Sequence, residues 1–174
     1  MTPYETISYW TASGGILGRL RLAATQAGLC KLALGAEDDA AFHAWLLRVI
    51  QPSRLTRQQP PSINQAQAEI TAYLAGKLQI FQTPLDLRGT PFQRQVWAEV
   101  ARISYGATAT YGEIAARIGR PKAVRAVGAA NGANPLPLFI PCHRVLGTGG
   151  DLRGYGGGLE LKSALLQLEN TSNT

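Results

Sequence analysis

Cysteine and histidine are scarce in this sequence, with two of each among 174 residues. Cys30 and Cys142 lie far apart and there is no CxxC pair, so the spacing supports neither a zinc site nor a disulfide framework. Long apolar runs are also missing, since none approaches the roughly 18 residues that span a bilayer. Met1–Thr6 has neither the basic nor the apolar region of a secretory leader. We therefore expect an intracellular protein with reduced thiols, no bound metal and no membrane partner.

Acidic residues are few in the same part of the chain where basic residues are concentrated. Residues 88–153 hold nine Lys and Arg against three acids, which accounts for the whole net charge of +6. Such a segment indicates a polyanionic partner, most commonly nucleic acid, although a basic surface can also serve only solubility. The 45% hydrophobic content is enough for one or two domains with a packed core.

The first 87 residues are predicted to form an α/β scaffold domain. Its strand-like runs, separated by glycines, are Thr6–Thr11, Leu17–Ala24 and Leu29–Leu34, which predict a small antiparallel meander. Acidic residues 37–39 open a helix with apolar positions as far as Val49, and a polar, Pro-rich loop is expected from Gln51 to Ser62. A second helix is predicted over Asn64–Gly76. Cys30 is expected to be a thiol in the strand core.

Residues 88–174 are predicted to form a helical domain, with residues 170–174 disordered. Capping boxes at Thr90 and Thr110 begin two helices. A break at residues 119–121 precedes a third helix that starts near Lys122, with Val124 and Val127 facing the core. Helix, tight turn and helix predict a helix-turn-helix.

The third helix offers few side chains that could read base edges, because it consists mostly of alanine and glycine. Small residues suit a helix that presses its backbone into a minor groove about 6 Å wide, although they also suit tight packing against another helix. The predicted DNA-facing residues are Ala123, Arg125, Ala126, Gly128 and Ala129. A lone Arg125 could fill the space left by an extruded base, or it could be an ordinary solvated arginine.

Cys142 lies beside His143 at the end of an apolar segment, so its thiol is either a core atom or an activated nucleophile. Apolar surroundings raise a thiol pKa, and a nearby imidazole can act as the base that reverses this. Neighbours in an extended segment point to opposite sides, so a direct bond between the two requires a turn or a bridging water. Glu169 shares an apolar helical stripe with Leu165 and Leu166, which predicts a buried partner unless the frayed helix end leaves it solvated.

Several residues match one family in order. They are Tyr111, Arg125-Ala126-Val127-Gly128, Asn134-Pro135, Pro137, Ile140-Pro141-Cys142-His143-Arg144-Val145, Tyr155 and Glu169. With this set the chain resembles the O6-alkylguanine-DNA alkyltransferases, strongly over about residues 88–169. The resemblance implies an α+β fold, in which a ribonuclease-H-like domain with a small antiparallel sheet precedes a winged-helix-like helix-turn-helix domain that carries the cysteine.

The resemblance also implies an activity and a set of site residues. Duplex DNA is bound through the minor groove, O6-alkylguanine is flipped out, and Cys142 takes the alkyl group once, in a monomer without cofactor or metal. A lowered thiol pKa would come from a relay of Cys142, water, His143 and Glu169. Tyr111 would assist rotation and protonation of the base, and Asn134 would support the turns. Pro137, Val145, Tyr155 and Gly156 would line the substrate pocket, and Arg144 would form a structural ion pair or contact DNA.

Two other readings stay open on the residues alone. The first is a non-catalytic lesion sensor or helix-turn-helix regulator, against which the nucleophile and the lack of base-reading side chains argue. The second is a cysteine hydrolase, which needs a base within direct reach and an oxyanion site. For the transferase, a cytoplasmic, nucleoid-associated location is expected, or a nuclear one in a eukaryote.

Overall fold

The computed structural model describes residues 6–35, 37–52 and 54–171. The chain divides into two compact units, residues 1–88 and 89–174, one residue from the predicted boundary. The first unit holds a four-stranded sheet with helices, and the second is mainly helical. The predicted α+β class is therefore confirmed.

The sheet of the first unit has the strand order β3-β2-β1-β4. Its strands are β1 (Thr6–Ser13), β2 (Arg19–Ala24), β3 (Leu29–Ala33) and β4 (Arg54–Arg57). The pairs β1–β2 and β2–β3 are antiparallel, as the predicted meander requires. The prediction of a loop from Gln51 to Ser62 is wrong, because β4 pairs with β1 in parallel. The partner of β4 lies far away in the sequence, and a strand of only four residues has too little alternation of polar and apolar residues to be predicted by itself.

Helix α1 (Asp39–Trp45) begins where the acidic residues predict it, and the Asp38 carboxylate accepts the Ala41 N–H at 2.6 Å. The chain continues through a π-helical turn, Leu46–Ile50. Phe42, Leu46 and Ile50 pack with strand residues in one buried cluster. Cys30 belongs to this cluster, and its thiol donates to the Ala23 carbonyl at 3.3 Å, so the predicted core thiol is confirmed.

Helix α2 spans Pro61–Leu74, three residues earlier at its start than predicted, because Pro61 occupies a first-turn position where a missing N–H costs nothing. The segment after α2 is attached to β3 by two backbone bonds. Leu29 N–H donates to the Pro84 carbonyl and Asp86 N–H donates to the Leu29 carbonyl, both at 2.8 Å. Gly28 makes this approach possible: its φ is +148°, and a Cβ there would lie 2.3 Å from the Pro84 carbonyl oxygen.

The second unit contains the predicted helix-turn-helix. Both capping boxes are present, at the start of α3 (Pro91–Ala101) and of α4 (Tyr111–Arg117). Helix α5 (Val124–Gly132) starts two residues later than predicted, because the Ala123 N–H closes the preceding turn on the Arg120 carbonyl. The indole of Trp97 on α3 donates to the Ala130 carbonyl at 2.7 Å and joins α3 to α5.

A two-residue parallel ladder and a last helix complete this unit. The ladder pairs β5 (Ala109–Thr110) with β6 (Val145–Leu146), and α6 spans Leu159–Thr171. The prediction of disorder is wrong for residues 170 and 171, because they continue α6 and the Thr171 hydroxyl donates to two carbonyls one turn earlier. Residues 172–174 lie outside the described part. None of the described helices combines the length and apolar character needed to cross a bilayer.

Candidate active site

Cys142 begins a short 3-10 turn, Cys142–Arg144, which lies between an apolar segment and β6. The Cys142 N–H donates to the Ile140 carbonyl at 2.7 Å, and the Asn131 side-chain amide donates to the Cys142 carbonyl at 3.2 Å. The residue is 6% exposed, so it is largely buried but not sealed. The turn replaces the extended segment in which a cysteine and the next residue would point apart.

His143 and Glu169 form the connected pair that the helical stripe of α6 predicts. The His143 Nε2 lies 2.8 Å from Glu169 Oε1, and both residues are fully buried. Arg144 donates from its guanidinium to both carboxylate oxygens at 2.9 Å and to the Ile103 carbonyl at 2.6 Å. The Gly106 N–H also donates to Glu169, at 3.2 Å. Arg144 is therefore buried in a structural ion pair, one of its two predicted roles.

The imidazole of His143 is set up as a neutral base. Burial lowers its pKa below the ordinary value, with the positive charges of Arg144 and Lys162 acting in the same direction and the hydrogen bond and charge of Glu169 opposing them. Since the carboxylate can only accept, the neutral ring donates Nε2–H to Glu169 and carries its basic lone pair on Nδ1. Protonation at Nδ1 would then give an imidazolium held against a carboxylate.

The pKa of the Cys142 thiol shifts in the direction opposite to the predicted one. Burial raises the pKa of Cys142 above its ordinary value, so the expectation of a lowered pKa is wrong. Three kinds of group oppose this effect: the Asn134 side chain, backbone N–H groups of the turn, and the positive charge of Lys162. Ionisation of this thiol therefore requires a proton acceptor.

Lys162 is a buried cation that the sequence reasoning missed. Its ammonium donates to the Val145 carbonyl at 2.7 Å and to the Arg153 carbonyl at 2.8 Å, and the residue is fully buried. Its hydrogen bonds thus go to backbone carbonyls, and its charge favours an ionised Cys142. The signal was present, because Lys162 lies three residues before Leu165 and seven before Glu169, on the same stripe of α6.

Tyr111 lies at the start of α4, and its ring packs against α5, where a Cβ added to Gly128 would lie 3.9 Å from two ring carbons. The Tyr111 hydroxyl donates to the Arg153 carbonyl at 3.2 Å. Burial raises its pKa, although a hydrogen bond from Asn131 opposes the shift. Asn131, a buried residue of α5, is a second site residue that the sequence reasoning missed.

Asn134 fastens the chain between α5 and the cysteine turn, with its amide donating to the Ile140 carbonyl at 2.8 Å and its oxygen accepting from Leu136 N–H at 2.9 Å. In the same segment, Leu138 is buried with a φ of +73°. A non-glycine residue in this left-handed region costs about 1–3 kcal/mol. Two turns bonded to Asn134 and the burial of Leu138 hold this strained geometry beside Cys142.

Four residues predicted to line the substrate pocket differ in exposure. Val145 is buried and bonded to Lys162, Pro137 and Tyr155 are half-buried, and Gly156 is exposed. The Tyr155 ring stands edge-on to His143 with centroids 6.5 Å apart. Its hydroxyl is buried without a hydrogen-bond partner among the described residues, and burial raises its pKa well above the ordinary value. A buried unpartnered hydroxyl is a costly feature that a bound ligand could satisfy.

Four of the five predicted DNA-facing residues lie on α5, and the fifth, Ala123, immediately precedes the helix. Arg125, Ala126 and Ala129 are exposed, and Ala123 and Gly128 are half-buried. The prediction that Val124 faces the core is wrong: it is 39% exposed, because α5 begins there, before the buried stretch that Val127 opens. The described residues contain no group of three or more His, Cys, Asp or Glu side chains that could hold a metal ion.

The fold and the site define a two-domain class of protein, in which a helix-turn-helix unit carries a buried cysteine, histidine and glutamate. Residues 9–87 match the family model for the ribonuclease-like domain of 6-O-methylguanine DNA methyltransferase, and residues 91–171 match the model for its DNA binding domain. The chain belongs to the methylated-DNA–protein-cysteine methyltransferase family.

Individual relatives show the same similarity. The methylated-DNA–protein-cysteine methyltransferase of Mycobacterium tuberculosis (strain H37Rv) is 50% identical over 127 residues, which cover 72% of this chain and 77% of the relative. The constitutive enzyme of Bacillus subtilis (strain 168) is 39% identical over 95% of this chain and 98% of its own length. The crystal structure of Mycobacterium tuberculosis OGT in complex with DNA has a TM-score of 0.80 and 42% identity, and covers 95% of this chain and 94% of that one.

Proposed function

We propose that this protein repairs DNA by direct reversal, moving the alkyl group of O6-alkylguanine onto the sulfur of Cys142 in a single turnover. The observation that carries the proposal is the Cys142–Arg144 turn, in which a largely buried cysteine directly precedes a histidine whose imidazole is bonded at 2.8 Å to buried Glu169. Relatives of 39–50% identity carry the name of this activity. The protein acts as a monomer, in the compartment that holds the DNA, the cytoplasm in a bacterium.

Side chains of the site account for each proton that moves in this reaction. His143 takes the thiol proton on Nδ1, and Glu169 stabilises the resulting imidazolium. The sulfur attacks the alkyl carbon, an S–C bond forms, and the C–O bond breaks with its electron pair left on guanine. The guanine anion takes a proton from the Tyr111 hydroxyl. To reverse the transfer, a thiolate would have to depart from the alkyl carbon of the thioether, and a thiolate is a poor leaving group there, so the transfer is irreversible and each protein molecule acts once.

Helix α5 supports binding of the duplex by its minor groove. Its exposed face carries small residues and one long cation, Arg125, so the backbone can approach the groove closely while few side chains can read bases. We infer that Arg125 fills the place of the flipped nucleotide and that Tyr111 helps to rotate it. The pocket for the base lies between Tyr111, Val145, Tyr155 and Gly156, with Pro137 against the alkyl group.

The test is a mass measurement on the intact protein and its peptides. After incubation with excess duplex carrying one O6-methylguanine, a single added methyl group is expected, on the peptide that contains Cys142. Cys142→Ala should bind the same duplex and gain no mass, and an unmodified duplex should leave the wild type unchanged. An unmethylated Cys142 under excess substrate would refute the proposal, and base binding without transfer would favour a lesion sensor.

A further inference from the structure

The backbone carbonyl of Arg153 accepts hydrogen bonds from two side chains on different helices. The Lys162 ammonium, on α6, donates to it at 2.8 Å, and the Tyr111 hydroxyl, at the start of α4, donates to it at 3.2 Å. Because a carbonyl oxygen can only accept, both side chains present a proton to it. The Tyr111 proton therefore points at an acceptor that a cation already occupies.

The two hydrogen bonds differ in length and in strength. A hydroxyl usually lies about 2.7–2.8 Å from the oxygen that accepts its proton, so the Tyr111 bond at 3.2 Å is long. The Lys162 bond is charge-assisted, and its 2.8 Å is the ordinary length for an ammonium donor. A carbonyl oxygen whose electrons are drawn toward a cation attracts a second donor less strongly. Tyr111 is therefore the loosely held donor of the two.

Lys162 keeps its place on the Arg153 carbonyl independently of Tyr111. Its ammonium also donates to the Val145 carbonyl of β6 at 2.7 Å, and the residue is fully buried. If the Tyr111 hydroxyl turns away, the Arg153 carbonyl still has the ammonium as a donor. The penalty for leaving a peptide carbonyl without a donor then does not arise.

We propose that Lys162 is a positioning residue for alkyl transfer, which holds the Arg153 carbonyl so that the Tyr111 proton is released easily to the departing guanine. This inference rests on the proposed function. As the C–O bond of the substrate breaks, the O–H bond of Tyr111 breaks and its proton binds to the guanine anion. The electron pair stays on the phenolate until solvent returns a proton. Lys162 donates no proton itself and acts only through the shared carbonyl.

A second effect of Lys162 must be separated from this one. Its positive charge favours an ionised Cys142, so removal of the charge slows every reaction of the thiol. Alkylation by iodoacetamide also requires an ionised thiol, but it needs no proton for a departing base. The ratio of the methyl-transfer rate to the iodoacetamide rate therefore cancels the effect on the sulfur and retains the effect on Tyr111.

The experiment measures that ratio in Lys162→Met, which keeps a long unbranched side chain and removes both the donor and the charge. Tyr111 is then the remaining side-chain donor to the carbonyl and holds its proton more tightly. The ratio for single-turnover transfer from an O6-methylguanine duplex should fall about 3- to 10-fold, which is what one ordinary hydrogen bond contributes. In a Tyr111→Phe background the same change should alter the ratio less than about twofold. Lys77→Met, at an exposed lysine, should leave both rates at the wild-type value.

A structural measurement accompanies the rates. In a crystal structure of Lys162→Met without DNA, the distance between the Tyr111 hydroxyl and the Arg153 carbonyl oxygen should shorten to about 2.8 Å. An unchanged ratio or an unchanged distance would overturn the inference, and an equal fall of the ratio in the Tyr111→Phe background would show that Tyr111 is not the mediator. Should the methionine variant not fold, Lys162→Gln, which is neutral and one bond shorter, carries the same comparison. A wild-type protein without any methyl transfer would instead refute the proposed function.

Discussion

Replacing Glu169 by glutamine tests the relay most sharply, because it keeps the shape and removes only a charge and an acceptor. The hydrogen bonds described for the carboxylate come from His143, Arg144 and Gly106. A carboxylate only accepts, so each partner presents a donor, and the amide group of a glutamine finds no acceptor there. The one partner that can change is His143, by moving its proton from Nε2 to Nδ1.

That change of tautomer removes the base from the reaction, because Nδ1 then carries a proton before the thiol offers one. General-base assistance contributes about 10²- to 10⁴-fold to rates, so Glu169→Gln should slow methyl transfer by a factor in that range. The variant also leaves the Arg144 cation buried without its counter-ion, which costs about 3–5 kcal/mol of unfolding free energy.

The assay is single-turnover transfer with protein in excess over an O6-methylguanine duplex, at a temperature where circular dichroism shows the variant folded. Urea unfolding of the same preparation gives the stability change. Iodoacetamide alkylation serves as a second measure of the thiol, and it should slow in parallel. A folded Glu169→Gln protein that transfers methyl groups within about twofold of the wild-type rate would refute the relay.

Three further predictions follow from other parts of the structure. Arg125→Ala should weaken transfer from duplex DNA about tenfold or more and leave transfer from a free O6-alkylguanine base nearly unchanged, and equal losses would show that Arg125 does not act in flipping. Because burial lowers the pKa of His143, the unfolded chain takes up a proton first as the pH falls; the stability contribution of the neutral ring is complete above about pH 6.5 and is lost between that value and the lower folded pKa. Urea midpoints should therefore decline more below about pH 6.5 in the wild type than in His143→Asn, and parallel curves would contradict this. Gly28→Ala should cost about 2 kcal/mol or more, because its Cβ would lie 2.3 Å from the Pro84 carbonyl oxygen, and an unchanged urea midpoint would count against that contact.

The sequence predicts the parts of the fold that depend on local chemistry. The capping boxes at Thr90 and Thr110 and the cap at Asp38 place their helices because each is a hydrogen bond between residues three apart. Strand β4 was not predicted because each of its residues pairs with a β1 residue that lies 48 positions earlier in the chain. The burial of Val124 was predicted wrongly because helical periodicity shows which face of α5 is apolar but does not show at which residue that face begins to pack against the core.

For the site, Glu169 was predictable because a carboxylate on an apolar stripe requires a buried partner. Lys162 lies on the same stripe and was missed, since a lysine stem commonly crosses apolar surface with its ammonium in water. The buried position of Asn131 was missed because the sequence analysis of α5 considered only the small residues and the arginine of its exposed face. The thiol pKa depends on burial and on three separate segments, which no local pattern contains.

Among the residues that the structure describes, the buried charges near Cys142 are two cations, Arg144 and Lys162, and one anion, Glu169. Before reaction this interior therefore holds one unbalanced positive charge, and a sulfur anion cancels it. Once the sulfur carries an alkyl group it can never ionise again, so the imbalance returns permanently. A fresh molecule can thus cancel this buried positive charge by ionising its thiol, whereas a used molecule has lost that ability.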